Sequence, residues 1–351
     1  MKAVKLKQQE TLTFTDQMVN LYSPSGMSAS LLSFGASLYS LLVPDRHGNL
    51  VDVVLGHRDL KAYVKNPEYL GVTVGRNANR IKGGSFEING TTYQLARNNG
   101  NNNLHSNPHG FDKRLWKPEV FSRERASSVS YSLVSPDGDG GFPGNMRVSV
   151  TYTLFNNTLE ILYQATTDAD TIFNPTNHSY FNLNGEQNGY ALDQYLWINA
   201  NSFTPVDAEL IPTGEIESLD DSPLDFRHEK VIEKDVHAEL ETIRIPKGFD
   251  HNYVLNQAGK FRTVATLRSD LTGIKMTVMT DRPGLHFYCG GSLNGNSLGK
   301  SVNPYEQYAG VCFETQTYPD AIHHPNFPSP ILKAGTAYES RTAFQFSTYL
   351  L

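Results

Sequence analysis

Asn174 to Leu183 reads NPTNHSYFNL and sets one imidazole, His178, in unusual company. Two asparagines (Asn174, Asn177), Pro175, the hydroxyls of Thr176 and Ser179 and the rings of Tyr180 and Phe181 crowd around it. A half-buried strand alternates apolar and polar residues, and this stretch does not. Asn174-Pro175 favours an extended or turning backbone. Flat aromatic faces beside forked hydrogen-bonding groups suit a pyranose, which has an apolar C–H side and a hydroxyl rim. The competing reading is a buried structural histidine at a strand end.

Further polar residues fall in stretches without helical or strand period: Asn79 and Arg80, His105, Asp250 in GFDHN and His286 in PGLHFY. Glu314 follows the apolar run GVCF. Strand alternation puts Val311 and Phe313 on one face, Cys312 and Glu314 on the other. A carboxylate on a face lined by protein needs partners. A buried ion pair, or a strand-end glutamate facing water, would also account for it. Taken together the set suits acid–base chemistry on a carbohydrate. A carboxylate (about 4.3) accepts a proton and an imidazole (about 6.5) donates one near neutrality. Each positioned transfer is worth about 10²–10⁴-fold in rate.

Other chemistries are disfavoured. Gly290 to Lys300, GGSLNGNSLGK, lacks phosphate-loop spacing and opens no helix, so it reads as a surface loop. No GxSxG nucleophile elbow exists. His323-His324 offers two ligands whose side chains should diverge, with no obvious third, so no metal is expected there. Cys289 and Cys312 each lie in an apolar, strand-like run. They read as buried free thiols and do not make a zinc site. A net charge of −6 without a clustered basic stripe argues against nucleic acid. The first residues lack a continuous apolar signal region, and no run nears the ~18 apolar residues a membrane helix needs. A cytoplasmic location is therefore expected.

The elements that must position these residues are strands. TLTF, MVNLYS, ASLLSF and ASLYSLLV fill Thr11 to Val43, followed by VDVVLG and a helical turn within Asp59 to Val64. Ser85 to Leu95 reads as a hairpin about Asn89-Gly90, with Phe86 and Ile88 on one side and Tyr93 and Leu95 on the other. A second hairpin joins MRVSVTYTLF to LEILYQATT through Asn156-Asn157. Charges at helical spacing (Glu229, Glu233, His237, Glu241) place a short helix within Asp225 to Ile243. Strands recur every ~8–15 residues. Crossover helices are missing, so a parallel sheet is disfavoured and residues 1–351 read as one all-β domain of packed antiparallel sheets.

Five stretches in one order make the chain resemble the aldose 1-epimerase (galactose mutarotase) family. They are GRNANRI (Gly75 to Ile81), NNLHSNPHGFDKRLW (Asn102 to Trp116), NPTNHSYFNLNG (Asn174 to Gly185), GFDHNYVL (Gly248 to Leu255) and CFETQTYPDAIHHPNFPSPIL (Cys312 to Leu332). The resemblance implies a single large antiparallel β-sandwich acting on a free monosaccharide, without metal or organic cofactor. It implies Glu314 as general base at the C1 hydroxyl, His178 as general acid at the ring oxygen, and His105 assisting nearby. Asn79, Arg80, Asp250 and His286 would hold hydroxyls, although relatives often carry glutamine at position 286. Relatives also follow the first histidine with two glycines, where this chain has Ser106-Asn107. A monomer or weak homodimer is expected. Three rival readings remain: a hexose-6-phosphate epimerase using Arg76, Lys82 or Arg114, a non-catalytic sugar-binding module, and a glycoside hydrolase using Glu314 with Asp250.

Overall fold

The computed structural model describes residues 18–123 and 126–350. The strand expected at Thr11 to Phe14 lies outside them. Three antiparallel sheets dominate. A nine-stranded sheet runs, in spatial order, Lys117–Arg123, Ala126–Ser135, Met146–Phe155, Thr158–Thr167, Ala337–Thr348, Ile274–Thr280, Arg262–Arg268, Tyr195–Ile198 and Lys230–Val231. A six-stranded sheet runs Tyr180–Phe181, Val311–Gln316, Gly284–Tyr288, Asp250–Leu255, Ala200–Thr204 and Glu217–Ser218. Met18–Tyr22, Ser28–Leu32, Ser37–Pro44 and Leu50–Asp52 form the four-stranded sheet.

Alternation explains the packing. Val148, Val150, Tyr152 and Leu154 are buried, and they face Leu159, Ile161, Tyr163 and Ala165 of the next strand in register. From the six-stranded sheet Tyr253, Leu285, Phe287, Val311 and Phe313 enter the same core. Phe287 and Phe313 meet at 5.4 Å between ring centroids. With a period of two, their neighbours His286 and Glu314 must point to the sheet's other face. The core side of this sheet thus fixes the direction of its polar residues.

Both hairpins form. Asn89-Gly90 turns with φ 53° and 78°, and Phe86 stacks on Tyr93 across the ladder at 5.3 Å. Asn156 turns with φ 46° between Phe155 and its partner Thr158. The helix expected within Asp225 to Ile243 does not form as such. A 3₁₀ turn at Ile232–Lys234 and one α turn at Glu241–Arg244 stand in its place. Side-chain bonds made by its charges favour turns instead: Arg227 folds onto Asp220 and Asp225, and Lys230 bonds Asp235. Among the described residues no helix is long and apolar enough to cross a membrane.

Candidate active site

His178 is carried to Glu314 by a side-chain zipper. Tyr180 and Phe181 pair with Cys312 and Val311. Upstream, Asn174 clamps the backbone of Thr317, accepting its N–H at 2.8 Å and donating to its carbonyl at 3.2 Å. Thr176 donates to the Thr315 carbonyl at 3.2 Å. Asn177 reaches the Gly71 carbonyl and turns back to accept the Ser179 N–H. The polar crowd around His178 therefore satisfies backbone in a segment too irregular for a ladder.

The result is a buried pair. His178 Nε2 lies 3.6 Å from Glu314 Oε1. Glu314 Oε2 is buried without a hydrogen-bond partner among the described residues. Burial drives the Glu314 carboxyl well above its ordinary value; the Asp250 charge adds to this and Arg80 opposes it. Burial likewise pulls His178 down to about 4. Cys312 Sγ stands 3.7 Å from His178 Nδ1, behind the ring.

His105 completes a triangle, its ring edge-on to His178 at 5.2 Å and to Tyr69 at 4.7 Å. Its Nδ1 accepts the Asn79 backbone N–H at 3.1 Å. A neutral ring that accepts at Nδ1 carries its proton on Nε2. Burial first, then the neighbouring charges of His178, Arg80 and His286, keep His105 well below its ordinary value, hence neutral. One ligating atom each from His105, His178 and Glu314 lie within 4.8 Å of one another, a grouping able in principle to hold a metal. The tautomer argues against it. The Asn79 N–H occupies the His105 lone pair and leaves an N–H where a metal would need a second one.

The hydroxyl-binding candidates converge on the same place. His286 is the cross-strand partner of Glu314. Its Nε2 lies 2.6 Å from Asp250 Oδ1. Burial works to raise the Asp250 carboxyl, but the hydrogen bond and charge of His286, with Arg80 behind, hold it at about 2. Arg80 is tethered by Nε to Asn99 Oδ1 at 3.0 Å. All seven expected residues (Asn79, Arg80, His105, His178, Asp250, His286 and Glu314) line one cavity of about 520 Å³.

Sequence reasoning missed part of that wall. Tyr69, Glu68, Asn99 and Tyr288 line it, as do Ser292, Leu293, Asn294 and Asn296. Gly290 to Lys300 is thus a wall of the cavity and not merely a surface loop. It is latched by Lys300, which donates to Asp52, the Tyr39 carbonyl and the Val54 carbonyl at 2.7–2.9 Å. The run of asparagines and serines was the available signal. His323 and His324 also depart from expectation: they do not diverge, and both approach Asp320, at 2.6 and 3.5 Å. Asp320 in turn accepts the Lys82 N–H beside the Arg80 segment.

Ser106 explains how the chain dispenses with glycine. It takes φ 59°, the left-handed region glycine favours. Its hydroxyl accepts the Asn77 N–H at 2.9 Å and donates to the Asn77 carbonyl at 3.1 Å. Asn107 ties the loop to Asp112. The three cations considered for a sugar phosphate are otherwise engaged or elsewhere. Arg76 is 2% exposed and spends its guanidinium on Ser135, Thr171 and the carbonyls of Pro136, Pro143 and Gly144. Arg114 pairs with Asp139. Lys82 is exposed and does not line the cavity.

Comparisons with known proteins give the chain's family and fold. The family model described as Aldose 1-epimerase matches residues 17–345. Galactose mutarotase of Bos taurus is 42% identical over 321 residues, 92% of this chain and 91% of that protein. Aldose 1-epimerase of Escherichia coli is 35% identical over 334 residues, covering 94% and 95%. Among solved structures, an aldose epimerase homologue from C. elegans superposes with a TM-score of 0.87 at 31% identity, covering 95% of this chain and 99% of that one. Galactose 1-epimerase from Lactobacillus acidophilus gives 0.85 at 29% identity, covering 98% of each.

Proposed function

The chain belongs to the aldose 1-epimerase family, and from that premise we propose how its own residues interconvert the α and β anomers of a free hexose. The observation that carries the reading is the His178–Glu314 pair, 3.6 Å apart inside a cavity shared with five hydroxyl-binding or donor side chains.

Glu314 takes the proton of the C1 hydroxyl. As that O–H breaks, C1=O forms and the C1–O5 bond cleaves; O5 takes its proton from His178. Rotation about C1–C2 presents the other carbonyl face. Closure reverses each transfer, so no net proton is consumed. The pair holds one proton throughout: it rests on Glu314, must pass to His178 for the cyclic sugar to react, and is back on Glu314 once the ring is open. Burial disfavours both charges, raising Glu314 and lowering His178. The site thus favours the neutral pair both at rest and after ring opening, and the charged pair that reacts is its minor form. Arg80 supports the carboxylate form of Glu314 needed at the start. His105, neutral with its N–H on Nε2, donates to a sugar oxygen without changing its protonation state.

Asn79, Arg80, Asp250 and His286 hold the remaining hydroxyls, on this reading. We also take residues 18–350 as one domain, since one core cluster draws on all three sheets. A cytoplasmic location fits the two buried free thiols, Cys289 and Cys312. We further infer a monomer or weak homodimer. The test is polarimetry on freshly dissolved α-D-glucose and α-D-galactose, with E314Q as control. Rotation relaxing no faster than buffer, in a protein that still binds sugar, would replace the enzyme with a binding module.

A further inference from the structure

Glu68 ties two parts of the cavity wall together. Its main-chain carbonyl accepts the hydroxyl of Tyr180, next but one to His178, at 2.9 Å. Its side chain reaches elsewhere: Oε1 accepts the Ser297 hydroxyl at 2.7 Å, across 229 positions of sequence. The following residue, Tyr69, lays its ring against His105 and His178, at 4.7 and 5.7 Å between centroids. Glu68 is half-buried, and with Tyr69 it lines the cavity. The main chain at Glu68 thus belongs to the part that does the chemistry, while its carboxylate grips the loop that begins at Gly290.

That loop, Gly290 to Lys300, is rich in glycine, and glycine backbone has the most freedom to lose on ordering. Side-chain bonds pin it at three places. The Ser292 N–H donates to the Tyr288 hydroxyl at 2.8 Å near one end, and Lys300 latches the other. Between them the Ser297–Glu68 bond holds the stretch that carries Asn294 and Asn296, both exposed and both lining the cavity. Asn294 Oδ1 accepts the Asn296 N–H at 3.2 Å, which couples the two residues. Neither side-chain NH₂ group has a partner among the described residues. Main-chain bonds join Gly295 and Ser297 to Tyr305 at 2.9 and 3.0 Å, so the loop keeps its path if Glu68 lets go. What it loses is its tie to the Tyr69 segment.

We propose that Glu68 is a positioning residue for sugar affinity: through Ser297 it holds Asn294 and Asn296 at the cavity, where their amides take hydroxyls of the bound hexose. The inference rests on the mutarotase reading of the cavity. Amide NH₂ groups donate, and sugar hydroxyls accept as well as donate. Fixing such donors before the sugar arrives lowers the ordering cost of binding. A carboxylate acceptor makes the clasp on Ser297 stronger than a neutral one would. Hydroxyls that take no part in ring opening are held equally before and after it, so these contacts act on KM and leave kcat alone. The catalytic side is not disturbed by a change of side chain, because Tyr180 bonds the Glu68 main chain.

The experiment is initial-rate polarimetry with α-D-galactose, resolved into KM and kcat, on the parent chain, E68A, E68Q, S297A and the E68A/S297A double variant. E68A and S297A should each raise KM about three- to thirtyfold, the scale of one charge-assisted hydrogen bond, with kcat changed less than about twofold. The double variant should be no worse than E68A alone, since both remove the same bond. E68Q, whose amide oxygen still accepts the Ser297 hydroxyl, should recover most of the affinity; a role in folding alone would move the melting temperature and leave KM in place. An unchanged KM in E68A, additive losses in the double variant, or E68Q as weak as E68A overturns the proposal. Calorimetry of galactose binding separates it from the reaction assignment. If no protein speeds mutarotation but E68A binds galactose more weakly and E68Q does not, the reaction assignment falls and this one stands. Should E68A fail to fold, S297A, which deletes one hydroxyl from the loop, decides, and an unaltered KM there overturns the proposal.

Discussion

His178 Nε2 stands 3.6 Å from Glu314 Oε1, farther than a hydrogen bond, with both groups buried. Neither is satisfied by the other. Each keeps a direction in which to meet an oxygen of a bound ring, while one proton is shared between them. Removing either partner therefore removes a transfer rather than a fold contact. E314Q and H178N should each lower kcat by about 10²–10⁴-fold with sugar binding retained, measured by polarimetry and calorimetry. A tenfold or smaller loss in both would deny them the proton-transfer roles.

The pair works only when it holds one proton, so the rate should be bell-shaped in pH. On the acid side the second proton goes to His178, whose value burial lowers to about 4, so activity persists below the ordinary imidazole range. On the alkaline side the shared proton leaves Glu314, which burial raises well above the carboxylate range. The limbs should thus lie further apart than the ordinary values of the two groups would set them in reverse order. A rate profile with an acid limb near 6.5 that vanishes in H178N would contradict the lowered histidine.

Arg80 is held by Asn99 at Nε and lines the cavity beside His178 and Glu314. On the proposed mechanism, truncating it removes charge-assisted hydrogen bonds to a hydroxyl that is present equally before and after ring opening. R80A should raise KM roughly 10–100-fold and change kcat less. An equal fall in kcat and kcat/KM would move Arg80 into the transition state.

Ser106 combines an unfavourable φ with two hydrogen bonds to Asn77. S106A loses the bonds and keeps the strain; S106G loses the bonds but relieves it. Denaturant unfolding should rank the parent above S106A, with S106G more stable than S106A by about 1 kcal/mol. If S106A equals the parent, the hydroxyl is not what compensates for the missing glycine.

Much of this was legible beforehand because strand alternation is a local signal. The run from Val311 to Glu314 fixes which face its carboxylate takes, and the fold places Phe313 in the core and Glu314 in the cavity. Other features depend on distant partners. Nothing near Asn294 or Asn296 says that Lys300 will latch their loop against Asp52 and the Tyr39 backbone. Charges from Glu229 to Glu241 matched a helix by spacing, but Lys230 and Arg227 are spent on turn carboxylates. His323 and His324 meet over Asp320 because that residue takes φ 54° and folds the chain back, which spacing alone does not reveal.

The tautomer of His105 is written in the main chain, by the amide of residue 79 rather than by its side chain. Chemistry and recognition are thereby separable at one position. A directed-evolution library varying side chain 79 among residues tolerant of its φ of 62° could explore new aldoses while the donor at His105 stays fixed. The scaffold can drift in what it recognises without relearning how to react.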